Sequence, residues 1–149
     1  AKGYDIFAKS IKVILQKHKD WKAKIIGDEK REKIELNHKN SEILGFRKHS
    51  EVLDIFKKTS ITVACSRWDE PFGRTSLEAS ANGCAVIITN KGGLPETVTD
   101  AKILKKLNLK NLIKALNLLI SNKNLRNKLQ NLSISIGFGI FCCKEEYLC

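Results

Sequence analysis

Acidic residues are scarce in this chain: 16 Asp and Glu stand against 27 Lys and Arg, a formal charge of +11. Such an imbalance favours anionic partners such as nucleic acid, a phosphate ligand or an acidic membrane surface. A lysine-rich, solvated surface is the plainer main cause, because the basic residues are spread along the chain rather than gathered in one block. Long apolar runs are absent as well. None approaches the roughly 18 residues of a membrane-spanning helix, and the opening stretch AKGYDIFAKSIKV is amphipathic and charged throughout, unlike a secretory leader. The five cysteines, Cys65, Cys84, Cys142, Cys143 and Cys149, contain no C-x-x-C pair. That argues against both a zinc site and a redox motif, and their odd number argues against a disulfide framework and for a reducing compartment. The last four residues form no prenylation box. No G-x-G-x-x-G follows a strand-like run, which disfavours a dinucleotide-binding oxidoreductase.

What remains is an ordinary globular composition, 42% hydrophobic with a mean hydropathy of −0.24, over a length of 149 residues that suits one core. Phe7, Ile11, Ile14 and Leu15 recur at helical spacing within residues 4–18, with lysines opposite. The run AKIIGD (23–28) reads as a strand, residues 28–40 as a polar connection, and SEILGF (41–46) as a second strand. A helix over 49–58 places Val52, Ile55 and Phe56 on one face. ITVAC (61–65) is a strand apolar on both sides, and the helix over 75–82 stops at Asn82-Gly83. CAVIIT (84–89) is a fourth strand, NKGGLPE (90–96) a glycine-rich loop, and AKIL (101–104) an edge strand. Leu109, Leu112, Ile113, Leu116 and Leu119 mark a long helix, followed by another over 122–131. Alternation of strand and helix with short connections predicts an α/β fold, a parallel sheet with helices on both faces. Cys65 and Cys84 then read as buried thiols.

Ligands of such sheets bind beyond the carboxyl ends of the strands, and the densest polar chemistry lies there, in SRWDEPFGR between strand 61–65 and helix 75–82. Gly73 lacks a β-carbon, so a ligand can approach its backbone. The helix that follows presents free N–H groups and a positive dipole end suited to a phosphate. Glu70 and Glu78 flank that anion site. Ionised carboxylates only accept hydrogen bonds, so they suit hydroxyl groups, and a sugar nucleotide offers a diphosphate between a ribose and a sugar. Competing readings stand beside these. Thr75 to Glu78 spells TSLE, a capping box in which Glu78 would bond back to Thr75. Glu70 reads also as a solvated loop carboxylate, and Trp68 and Phe72 as core or rim packing rather than ligand platforms.

The stretch EPFGRTSLE resembles the E-x7-E motif of retaining GT-B glycosyltransferases of the family 4 type (glycosyl transferases group 1). GRTSLEASANGCAVIITNKGGLPETV follows that family's order through Gly-Gly-x-Pro-Glu, KGYDIFAKSI resembles the segment that opens its donor-binding domain, and AKIIGD and ILGF resemble two of its strands. The resemblance covers about residues 2–130. It implies a Rossmann-like domain, the C-terminal half of a GT-B fold, with the first strand and the whole N-terminal acceptor domain expected upstream of Ala1. Glu70 would contact donor-sugar hydroxyls with the backbone of Phe72 and Gly73, and the N–H groups near Arg74 and Thr75 would hold the diphosphate. Glu78 would bond the ribose, and Lys2 would pair with the diphosphate. The backbone around Phe46 and Arg47 would edge the base, and Gly92 and Gly93 would keep the sugar pocket open. Glu70 and Lys2 are the residues nearest the chemistry.

Retention of configuration without a metal is implied, in keeping with the absence of an Asp-x-Asp pair, and no cofactor is expected beyond the nucleotide sugar. The acceptor, a sugar or lipid-linked glycan as in polysaccharide biosynthesis, is left unspecified. The expected organisation is a partial nucleotide-sugar-binding domain over 1–131 and a divergent tail over 132–149 that adds little to the core. Such a fragment is expected to be inactive alone and cytoplasmic, with peripheral contact at the inner membrane surface left open. The alternative is a noncatalytic basic module for nucleic acid or anionic lipid. It lacks a basic helix stripe with interleaved aromatics and any nucleic-acid-binding motif, so no nucleic acid partner is expected.

Overall fold

In the computed structural model the described residues are 3–27, 36–134 and the pair 147–148. Helix α1 (Tyr4–Lys17) leads into β1 (Lys22–Ile26), and β2 (Ser41–Gly45) into α2 (His49–Lys57). Then come β3 (Thr59–Ala64), α3 (Arg74–Ala81), β4 (Ala85–Thr89), a 3-10 turn (Leu94–Glu96) and β5 (Lys102–Leu104). The helices α4 (Leu109–Ser121) and α5 (Lys123–Ile134) follow, and a two-residue strand β6 (Tyr147–Leu148) comes last. All pairings are parallel, in the order β2-β1-β6-β3-β4-β5. The expected α/β architecture is therefore present, and each strand and helix expected between residues 4 and 131 lies within a few residues of its sequence bounds. The polar connection expected over 28–40 falls largely outside the described residues.

The central strands divide their side chains between two cores. On β4, Ala85 and Ile87 join Ile11, Ile14 and Leu15 of α1 and Leu112, Leu116 and Leu119 of α4 on one face. Val86 and Ile88 join Phe56 of α2 and Ala79 of α3 on the other. All five residues of β4 are buried, which is why this strand reads as an unbroken apolar run. The amphipathic pattern of α1 resolves as foreseen: Ile11, Ile14 and Leu15 are fully buried while Lys9, Lys12 and Lys17 are exposed. At the opposite extreme, β2 is an edge strand whose Ile43 is 47% exposed.

The amino ends of the strands are closed by α5. Arg126, buried, donates to the carbonyls of Leu119 (2.8 Å) and Ile120 (2.9 Å) at the end of α4, and its guanidinium lies 5.2 Å from the centre of the Trp21 ring. That places a cation where the helix dipole is negative and satisfies two carbonyls the helix itself cannot. Gln130 donates to the Ser60 carbonyl at the start of β3 (3.1 Å).

Two features were not foreseen. α5 runs to Ile134, past the tail boundary expected at residue 131. Tyr147–Leu148, inside the expected tail, pairs with both β1 and β3: Lys22 and Thr59 are partnered by Tyr147, Ala23 and Ile61 by Leu148. The tail thus supplies a strand to the middle of the sheet. A two-residue strand carries too little periodicity to be recognised in a sequence.

Candidate functional site at the carboxyl ends of the strands

β1 connects outward to β2, whereas β3 connects to β4 on the other side. The point between them, where the winding changes direction, is where open α/β sheets form their ligand crevice. The loop leaving β3 at that point is fixed from its first residue. The Ser66 N–H donates to Thr89 Oγ1 at the end of β4 (3.0 Å), and the Thr89 hydroxyl donates to the Ser66 carbonyl (2.9 Å). Ser66 Oγ accepts from the Trp68 N–H (3.0 Å). Arg67 Nη2 reaches both carboxylate oxygens of Asp5 in the first turn of α1, at 2.7 and 2.6 Å. Partial burial alone would raise the Asp5 carboxyl, but the hydrogen bonds and charge of Arg67 outweigh it and hold it below its ordinary value of 3.8. Cys65, just before this loop, is half-buried, and desolvation pushes its thiol up to about 12, a structural rather than a reactive cysteine.

The next part of the loop is seated on the glycine pair after β4. The Gly93 N–H donates to the Glu70 carbonyl (2.7 Å). Gly92 has φ +52, and a β-carbon there would overlap the backbone of Asp69 and Glu70; one on Gly93 would come within 2.8 Å of the Pro71 carbonyl oxygen. These two glycines permit backbone-on-backbone contact, and that contact sets where Glu70 stands. Lys91 Nζ lies 3.8 Å from the Asp69 carboxylate, a second tie between the same loops. Glu70 is half-buried, while Phe72 is 60% and Trp68 66% exposed.

Helix α3 begins one residue earlier than the sequence pattern suggests, at Arg74, with Gly73 (φ +75) as its left-handed cap. A β-carbon on Gly73 would meet the Leu94 side chain, and its φ of +75 is one that other residues rarely adopt, so the fold itself favours glycine here. Ser76 Oγ donates to the Gly73 carbonyl (2.6 Å), and the Thr97 hydroxyl lies 2.8 Å from both Ser76 Oγ and the Leu94 carbonyl. The start of α3 is thereby tied to the turn that carries the glycine pair. The first backbone N–H groups to find a carbonyl are those of Ser76 and Leu77, both to Gly73. Among the described residues those of Arg74 and Thr75 bond to no backbone carbonyl outside the helix. These are the two donors expected to face a diphosphate.

The position of Glu78 bears on its capping-box reading. With Gly73 as the cap, Glu78 is the fifth residue of the helix, and its carboxylate does not return to Thr75. Its Oε1 accepts from Arg74 Nε (2.6 Å) and from His49 Nε2 on α2 (3.0 Å). The TSLE capping box is not formed, because the helix starts at Arg74 and the third helical position falls on Ser76. Glu78 instead stands beside the first turn of α2, directly after Phe46 (79% exposed) and Arg47 (half-buried).

The structure therefore seats Glu70 and Phe72 on Gly92 and Gly93, sets Gly73 against Leu94 of the same turn with Arg74 and Thr75 following it in the first turn of α3, and links Glu78 to the segment that follows Phe46 and Arg47. Lys2 lies outside the described residues. Sequence reasoning missed the Asp5–Arg67 pair, the Ser66–Thr89 and Ser76–Thr97 bonds, and His49. Each joins residues 21 or more apart in the chain, and no local spacing announces such a pair. Among the described residues no group of three His, Cys, Asp or Glu side chains is placed to hold a metal ion, and no helix is long and apolar enough to cross a membrane.

Comparison with known proteins identifies the family to which this fold belongs. An uncharacterized glycosyltransferase of Methanocaldococcus jannaschii is 35% identical over 137 residues, covering 86% of this chain and 37% of the relative. A lipopolysaccharide core biosynthesis mannosyltransferase of Rhizobium meliloti is 32% identical over 108 residues, covering 66% of this chain and 30% of the relative. The chain thus spans about a third of the length of these curated relatives. The crystal structure of the C-terminal domain of a glycosyl transferase group 1 protein from Francisella tularensis superposes with a TM-score of 0.78 at 28% identity, covering 91% of this chain and 77% of that one. The family model described as glycosyl transferases group 1 matches residues 1–134, nearly the whole of the described fold, and the chain belongs to that family.

Proposed function

We propose that this chain is the donor-binding half of a retaining glycosyltransferase of the family 4 type, active together with an acceptor-binding domain. The observation that carries the reading is the arrangement around α3. Two backbone donors at its N-terminus, those of Arg74 and Thr75, stand in the chain between Glu70, whose backbone is seated on the glycine pair, and Glu78, which bonds His49 of α2. An anion site with a hydroxyl-binding carboxylate on either side matches the order sugar, diphosphate, ribose. Phe46 and Arg47 precede α2, whose His49 bonds Glu78, and on this reading they would edge the base.

In this reading the anomeric carbon loses its bond to the diphosphate oxygen and gains one to the acceptor oxygen on the same face. The acceptor proton departs with the nucleoside diphosphate. The chain's contribution is electrostatic: the N–H groups of Arg74 and Thr75, the end of the α3 dipole and Lys2 stabilise negative charge as it builds on the leaving group. Glu70 fixes the sugar. No metal is needed for that neutralisation. A second domain would hold the acceptor hydroxyl in line, which is why residues 1–149 alone should bind donor without turning over.

A panel titration tests this reading. UDP, GDP and ADP should compete with a sugar nucleotide for the chain, and binding should persist in excess chelator. Displacement by RNA or anionic vesicles, with indifference to all three nucleotides, would favour the basic-module alternative. Complete loss of nucleotide binding on chelation would overturn the metal-free mechanism.

A further inference from the structure

We propose that His49 is a positioning residue for Glu78 and sets how tightly the site holds the ribose of a nucleotide. This rests on the assignment of Glu78 to the ribose hydroxyls. His49 Nε2 lies 3.0 Å from Glu78 Oε1, the oxygen that also accepts from Arg74 Nε at 2.6 Å. Two donors occupy the two lone pairs of that oxygen. Among the described residues, Oε2 accepts no hydrogen bond. A ribose would therefore meet a carboxylate already fixed at one oxygen, with both hydroxyls directed to the other.

The two donors are not equivalent. Arg74 pairs with Glu78 four residues along the same helix, a contact any exposed α-helix makes, and its side chain is 73% exposed. His49 comes from α2, 29 residues earlier in the chain. It ties the carboxylate to the helix that follows Phe46 and Arg47, on the side where the base would lie. Loss of Arg74 leaves Glu78 held from α2, whereas loss of His49 leaves it free to follow Arg74 along α3, away from that side. The imidazole meets the Glu78 carboxylate, which Arg74 also contacts, while Lys48 precedes His49 and Glu51 follows it in the first turn of α2. Glu51 is engaged by the Lys48 N–H (2.9 Å), and β3, also packed on α2, brings no titratable side chain.

The test is calorimetric titration with UDP, GDP and ADP and with their 2′,3′-dideoxy analogues. It compares the wild type, His49→Ala, His49→Gln, Glu78→Gln and the His49→Ala/Glu78→Gln pair. Losing one positioning hydrogen bond should weaken binding of the ribonucleotide by about 3- to 10-fold in His49→Ala. The dideoxy analogue should bind as to wild type, and the thermal midpoint should stay nearly constant. His49→Gln keeps an N–H donor and should recover binding to within about twofold. In the Glu78→Gln background His49→Ala should add nothing. Equal loss for ribo and dideoxy nucleotides would overturn the proposal, as would an unchanged His49→Ala beside a weakened Glu78→Gln. If Glu78→Gln itself leaves ribonucleotide binding intact, the ribose assignment fails, and this inference fails with it.

Discussion

The two ends of the sheet are built on opposite terms. At the amino ends, polar groups are buried and internally satisfied. Arg126 caps two carbonyls of α4 over the Trp21 ring, and Gln130 caps Ser60. At the carboxyl ends, Phe46, Trp68 and Phe72 are exposed, Gly73 and Gly92 hold left-handed backbone, and the hydrogen bonds are spent on fixing loops. A fold that needed only stability would close both ends alike. Under the proposed function, the amino ends are closed by packing and the carboxyl ends are the binding surface, as expected where rigid elements present functional loops.

Substitutions at the two ends should therefore separate stability from binding. The largest effect is expected at the amino end. Arg126→Ala leaves two buried carbonyls without donors and uncovers Trp21, and it should cost about 2–4 kcal/mol. For a domain of this size that is a fall of roughly 5–15 °C in thermal midpoint. Nucleotide affinity of the folded protein, by calorimetry below the transition, should not change. A binding loss at Arg126 would break the separation.

Gly92→Ala should move both quantities. A β-carbon there overlaps the Asp69–Glu70 backbone at a φ of +52, so the loop carrying Glu70 must shift, at a cost of about 1–3 kcal/mol in stability. Affinity for a sugar nucleotide should fall more than affinity for the free nucleoside diphosphate. Unchanged affinity for both would mean that the glycine pair serves packing alone.

The smallest effect belongs to the Arg67–Asp5 pair. The Asp5 carboxyl is held below its ordinary 3.8 in the fold, so its stabilisation is present above that value and is lost as pH falls through the folded value. Both side chains are substantially exposed, which limits the pair to about 1 kcal/mol or less. The thermal midpoint of Arg67→Ala should lie slightly below that of the wild type at pH 7, and the gap should close in strong acid. A gap that widens on acidification would contradict the pairing.

Much of this was legible in the sequence because the signals were local. The unbroken apolar run of β4, the spacing of Ile11, Ile14 and Leu15, and the Asn82-Gly83 stop each depend on residues close in the chain. So does the Glu70–Glu78 interval with its following Gly-Gly-x-Pro-Glu. What the sequence hid was of another kind. β6 is too short to show a period. The start of α3 at Arg74 rather than Thr75 depends on Gly73 adopting φ +75 against Leu94, a contact 21 residues away. With the cap at Gly73, two residues before the Thr75 of the apparent TSLE capping box, that box is dissolved and Glu78 is left to His49 and Arg74. Gly92 and Gly93 were read as room for a sugar; the structure adds a second reason for them, the backbone of the Glu70 loop.

The central claim is that the two carboxylates serve different parts of one ligand, and one pair of variants tests it most directly. Glu70→Gln and Glu78→Gln would each be titrated with a nucleoside diphosphate and with the corresponding sugar nucleotide. Loss of a charge-assisted acceptor at Glu78 should weaken both ligands by about 1–3 kcal/mol with little change in stability. Glu70→Gln should weaken the sugar nucleotide and spare the free diphosphate. Equal losses for the two ligands at Glu70, or no loss for either at Glu78, would contradict the account.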